Sequence, residues 1–154
     1  VYINSADGPN PLVAVRPEGR GDLTEQIVWR SNKSVPKRGS QLLVGDLLFM
    51  MNDGGVASCL DALTGDVIWT KRVPGEYWAS PILANGLIYC CSQQGDVLVF
   101  KASREFDLVA ENKLDGGFVA SPAVADDALI LRSKTHLYRI ARPSGRELHD
   151  GPKS

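Results

Sequence analysis

Gly55-Val56-Ala57-Ser58-Cys59-Leu60-Asp61-Ala62-Leu63-Thr64-Gly65-Asp66-Val67-Ile68-Trp69 decides the fold, because it is the fullest copy of a unit that recurs about every forty residues. Three anchors mark the recurrence: Val44-Gly45-Asp46, Ala84-Asn85-Gly86 and Ala125-Asp126-Asp127, whose first members lie 40 and 41 positions apart. A fixed period of this length means like supersecondary units stacked side by side.

Each unit begins on small residues (Gly39-Ser40, Ala79-Ser80, Ala120-Ser121) and continues as an inner strand to a polar corner. A second apolar strand follows, at 47–51, 87–91 and 128–132. Polar turns such as Asn52-Asp53-Gly54-Gly55 and Ser92-Gln93-Gln94-Gly95 lead into a third strand at 56–60, 97–100 and 137–140. In the fullest copy Thr64-Gly65 turns the chain into an outer strand ending at Trp69. Four short strands per unit predict an all-β chain, a β-propeller fragment of four-stranded antiparallel blades.

A partial copy precedes these, with strands at 1–4, 12–15 and 27–30 and Trp29 standing 40 positions before Trp69. Ala14 and Trp29 are 15 positions apart, whereas Cys59 and Trp69 are 10 apart, so a surface insertion is expected over 17–24. After 137–140 no fourth strand is legible. The expected organisation is a partial propeller over 1–142, with blades at 1–34, 35–73, 74–114 and 115–142, then a tail over 143–154. Two complete blades are flanked by two of three strands. Val1-Tyr2-Ile3 reads as a strand, not a basic-then-apolar leader, so the chain reads as cut from a longer one, with a donor strand expected upstream of Val1.

The 154 residues include 15 glycines and 9 prolines with 44% hydrophobic side chains, the composition of a turn-rich globular chain. Seventeen basic against 18 acidic residues leave a formal charge of −1, which favours neither nucleic acid nor an anionic membrane. The longest apolar runs, 41–51 and 81–91, are interrupted by Gly45-Asp46 and Asn85-Gly86 and are too short for a membrane-spanning helix. Three cysteines, Cys59, Cys90 and Cys91, make neither an even disulfide framework nor a spaced metal site.

The pattern of Cys59, Asp61, Thr64-Gly65 and Trp69 resembles the tryptophan-docking repeat of pyrroloquinoline-quinone (PQQ)-type β-propellers. By rhythm the resemblance runs over 1–140; by motif it is full in one blade, since the next copy places Lys101, Arg104-Glu105 and Val109 at those positions. Asp61 is expected to accept turn amide hydrogen bonds, Gly65 to take a positive φ, and Trp29 and Trp69 to wedge between blades. The resemblance also implies a test for an enzyme. Quinoprotein alcohol dehydrogenases of this fold carry a vicinal disulfide beside the quinone, and Cys90-Cys91 is such a pair. Both cysteines fall inside a strand, however, where neighbouring side chains point to opposite faces, so packed thiols are expected. No motif receives the family's Ca²⁺ ligands or catalytic Asp.

Elsewhere the chemistry-bearing residues are dispersed. His136 and His149 have no spaced partners, and Asp46, Asp53, Asp61, Asp66, Asp96, Asp126 and Asp127 all fall at turns, where Asp is favoured for backbone reasons. Arg20-Gly21-Asp22 spells an adhesion tripeptide by chance in the insertion, and Lys33, Lys37 and Arg38 read as a solvated rim. The candidate binding loop holds Tyr77, Trp78 and Phe118, with Trp78 foremost as an aromatic anchor, although core packing suits the same positions. No catalytic residue, metal site or cofactor is assigned. The expected function is a non-catalytic, periplasmic or secreted scaffold whose partners are proteins, either further blades or a second copy. The alternatives are the C-terminal half of a PQQ- and calcium-dependent quinoprotein dehydrogenase, and an outer-membrane barrel-assembly-type lipoprotein.

Overall fold

A computed structural model describes residues 1–5 and 12–142. The expected tail over 143–154, with His149, lies outside the described residues. Among the described residues, fourteen strands and a single 3-10 turn make up the regular structure, and the strands form four antiparallel sheets. Blade 1 is β1 (Tyr2–Asn4), β2 (Leu12–Val15) and β3 (Ile27–Ser31). Blade 2 is β4 (Leu42–Val44), β5 (Leu47–Met51), β6 (Val56–Asp61) and β7 (Val67–Arg72). Blade 3 is β8 (Ile82–Ala84), β9 (Leu87–Cys91), β10 (Asp96–Lys101) and β11 (Leu108–Lys113), and blade 4 is β12 (Ala123–Ala125), β13 (Ala128–Arg132) and β14 (Leu137–Ala141). Each sheet is an up-and-down meander in chain order, so every blade is a local structure.

The corners between inner and second strands share one backbone solution. Gly45, Asn85 and Asp126 all take a positive φ, +61°, +51° and +52°. Gly, Asn and Asp are the residues that tolerate this conformation most readily, which is why these anchors were visible in the sequence. The next turn is tied by a side chain in blades 2, 3 and 4. Asn52 Oδ1 accepts from the Gly54 and Val56 amides, Ser92 Oγ from Asp96, and Ser133 Oγ from His136.

Sheets pack face to face, and the core is three successive inter-blade layers. Between blades 1 and 2 lie Leu12, Leu48, Met50 and Leu60; between blades 2 and 3 lie Phe49, Met51, Cys59, Ile88, Cys90 and Phe100; between blades 3 and 4 lie Cys91, Val97, Val99, Phe118 and Leu131. All five residues of β5 are buried because blade 2 has a neighbour on each side. That explains the unbroken run Leu-Leu-Phe-Met-Met, since a sheet covered on both faces does not alternate.

Two sequence expectations are corrected. Inner strands begin later than expected, at Leu42 and Ile82, because Ser40 and Ser80 turn their amides to the next blade instead of a ladder: Ser40 N–H donates to Ser80 Oγ (2.9 Å) and Ser80 N–H to Ser121 Oγ (3.0 Å). The expected surface insertion over 17–24 leads into a 3-10 turn at Thr24–Gln26, where the Asp22 carboxylate accepts from the Thr24 amide and hydroxyl. Val109 is not the counterpart of Trp69. Cys59 pairs with Trp69, and the equivalent Val99 pairs with Ala110, because the turn of blade 3 is one residue longer.

Candidate functional site

The blade-to-blade joints come first, since they position every loop. Asp61 Oδ1 accepts from the Leu63 and Thr64 amides at 2.9 and 3.1 Å, and Thr64 donates its hydroxyl to Asp66, so the turn is held by side chains. Gly65 has φ +77°. Trp29 of blade 1 reaches this turn and donates Nε1–H to the Ala62 carbonyl at 3.1 Å; the Tyr2 hydroxyl donates to the same oxygen at 2.9 Å. One blade on, Trp69 donates Nε1–H to the Ser103 carbonyl at 3.2 Å. Its ring meets Phe49, Phe100 and Phe106 at centroid distances of 6.1, 6.0 and 5.2 Å. Phe106 thus occupies the turn of a blade that has no Thr-Gly pair. An ion pair from Arg104 to Asp46 joins the same two blades, and hydrogen bonding to that guanidinium lowers the Asp46 carboxyl.

The candidate binding residues divide sharply. Tyr77 and Phe118, each 1% exposed, are core residues, which corrects their assignment to a surface loop. Both stand two residues before a small residue, Ala79 or Ala120, that leads to an inner strand, and there the ring fills the gap between two sheets. The Tyr77 hydroxyl donates to the Pro74 carbonyl at 2.9 Å, and burial drives its ionisation far above the ordinary tyrosine range. Trp78, one residue later, points outward and is 36% exposed.

Trp78 does not stand alone. The Arg38 guanidinium lies 4.1 Å from its ring centroid and is paired with Asp53, whose other oxygen accepts the Lys37 amide at 2.7 Å. Arg38, Trp78 and Val119 are equivalent positions of blades 2, 3 and 4, spaced 40 and 41 residues apart. Val119 is also exposed and edges a cleft of about 270 Å³ lined by Ala120, Arg132, Ser133 and Lys134. Sequence reasoning missed Asp53 as the carboxylate that fixes Arg38; only the strand order brings residues 38 and 53 together.

The thiols behave as packing. Cys90 faces the layer between blades 2 and 3 and Cys91 the layer between blades 3 and 4, and both are free. Burial pushes the Cys91 thiol up to about 12 and the Cys59 thiol up to about 11. Thiols so disfavoured as thiolates are poor nucleophiles and poor metal ligands. Among the described residues no group of three or more His, Cys, Asp or Glu side chains is placed to hold a metal ion. No helix among them is long and apolar enough to cross a membrane.

The family model described as outer membrane protein assembly factor BamB matches residues 13–104, from the second strand of blade 1 to the outer turn of blade 3. The chain belongs to this BamB family. The BamB of Alteromonas naphthalenivorans is 30% identical over 101 residues, covering 56% of this chain and 24% of its own length. The crystal structure of BamB from Moraxella catarrhalis superposes with a TM-score of 0.61 at 16% identity, over 79% of this chain and 34% of that one. A europium-containing methanol dehydrogenase shares the fold at a TM-score of 0.52 and 17% identity, over 68% of this chain and 21% of its own. The chain therefore spans about a quarter of the BamB relative that it matches.

Proposed function

We propose that this chain is part of a non-catalytic β-propeller scaffold that binds other proteins through its loops. The BamB family match over residues 13–104 carries the reading, since the described function of that family is assembly of other proteins. The inter-blade fastening supports it, because hydrogen-bonded indoles and serine amides hold the loops on a stiff frame that loses little entropy on binding. A narrower form, an outer-membrane barrel-assembly role for a periplasmic protein, follows the family description. Loss of the gene in the source organism should then deplete outer-membrane barrels. Photo-crosslinkers in the loops should give a discrete protein adduct in cells; no adduct from any loop would end the reading.

The quinoprotein reading fits this chain poorly. Its vicinal thiols lie in two separate cores, on opposite faces of one strand, an arrangement that argues against a disulfide between them beside a quinone. Titration of the full-length protein with PQQ and Ca²⁺ followed by absorbance separates the two: stoichiometric uptake favours the dehydrogenase, and an unchanged spectrum favours the scaffold.

A further inference from the structure

We infer that the end of the wheel bearing Trp78 is a docking surface for an acidic, extended segment of a partner protein that carries apolar anchors. The inference rests on the protein-binding reading and adds to it a surface and a partner chemistry.

The near-neutral total conceals a polarised molecule. Strand order sends the blade-to-blade loops, the turns between second and third strands and the strand ends beside them to one end; among the described residues these are 32–41, 52–55, 71–81, 92–96, 113–122 and 132–136, of which Lys71, Arg72, Asp96, Lys113 and Arg132 stand at strand ends. These segments contain eight Lys or Arg against four Asp or Glu, a net +4. The opposite end, residues 16–26, 45–46, 61–66, 85–86, 101–107, 126–127 and 142, contains five against ten among the described residues, a net −5. Two of the four acids at the basic end are already matched, Asp53 by Arg38 and Asp96 by Lys113 at 2.7 Å. Lys33, Lys37, Arg132 and Lys134 have no carboxylate partner among the described residues.

Apolar anchors alternate with these cations. Trp78 is braced by Arg38 on its ring, and Val119, 46% exposed, edges the cleft that Arg132 and Lys134 flank. A braced aromatic beside cations is the usual make-up of an interface anchor, and opposite charge guides the approach of a partner. A segment alternating carboxylates with apolar side chains matches this pattern. A nucleic acid matches it less well, because its phosphates would cross Asp53, Glu76, Asp96 and Asp115 with no continuous basic track and with Trp78 as the exposed indole for base stacking.

The test is fluorescence anisotropy of a labelled peptide alternating Asp with Leu, titrated with the full chain. Binding should be saturable and should weaken at least about tenfold when salt is raised from about 0.05 M to about 0.5 M. The combined variant Lys37→Glu, Arg132→Glu, Lys134→Glu should lose at least about tenfold, as should Trp78→Ala, with unchanged melting curves. Asp126→Lys with Asp127→Lys at the other end should leave binding intact. Undiminished binding by the basic-end variants, equal binding of a Lys-Leu peptide, or tighter binding of duplex DNA or anionic vesicles would overturn the inference. So would self-association abolished by the same reversals without peptide binding. If loop crosslinks capture a protein at the acidic end alone, the scaffold reading stands and this surface is wrong; if no loop captures any protein, both fall.

Discussion

The indole of Trp29 lies flat against Gly65 of the next blade, so close that a Cβ there would sit 2.6 Å from Trp29 Cδ2. The same indole donates to the Ala62 carbonyl three residues earlier, so one turn both receives the hydrogen bond and makes room for the ring. Gly65 is needed twice, for its φ of +77° and for its missing side chain. The motif that marks the family in sequence is therefore half of a joint whose other half lies 36 residues upstream.

Gly65→Ala should cost on the order of 2–4 kcal/mol, the sum of a left-handed backbone penalty and displacement of an indole that cannot flex away. Urea unfolding measures it. Because the defect lies in the joint, Trp29→Ala should already remove much of the penalty, and the double variant should be clearly less destabilised than the two single changes added together.

Trp69 is the hub of an aromatic cluster, and its replacement should be graded. Trp69→Phe keeps the ring contacts and loses the bond to Ser103, costing about 1–2 kcal/mol; Trp69→Ala also leaves a void beside Phe100 and Phe106, costing about 3–5 kcal/mol. Equal losses for the two variants would contradict a role in which packing dominates.

The buried thiols fix an alkaline limit. Their folded ionisation is raised above the unfolded value, so their contribution is intact below about pH 8.5 and drains away as pH climbs toward the folded values of about 11 for Cys59 and about 12 for Cys91. Stability should fall across that window, and Cys59→Ser should make the fall shallower. A thiol reagent at pH 8 should label the native chain only as fast as it unfolds, and non-reducing mass analysis should find no Cys90–Cys91 bond.

The acid limb has the opposite sign. Asp96 is pulled up by burial, yet Lys113 and the Ser92 hydroxyl outweigh this and lower it; Asp46 is lowered by Arg104. Both contributions are present above the ordinary Asp range and disappear as pH drops below it. Lys113→Met should flatten the acid denaturation curve and make the chain less salt-sensitive, whereas Arg20→Met, which pairs with neither carboxylate, should leave it unchanged.

The strands of blades 2 and 3 were legible because their turns need Gly, Asn or Asp at fixed places, as at Gly45 and Asn85. The turn at Asp61 was legible for the same reason. Blade 3 was harder, since one added residue between Lys101 and Asp107 shifts the register and hides that Ala110, not Val109, stands opposite Val99. Tyr77 and Trp78 could not be told apart by type, for both are aromatic; one enters the gap between sheets and the other leaves it. The charge polarity was invisible in a net charge of −1, because a sum over the chain discards which end each loop reaches.

Amide and indole hydrogen exchange by NMR tests the central claim most directly, since it reads the proposed fasteners one proton at a time. The Nε1–H protons of Trp29 and Trp69 should exchange only on opening of the blade joints, and that of Trp78, which donates to no group among the described residues, should exchange orders of magnitude faster. Exchange of Trp29 and Trp69 as fast as Trp78 would mean that the indoles do not hold the blades together.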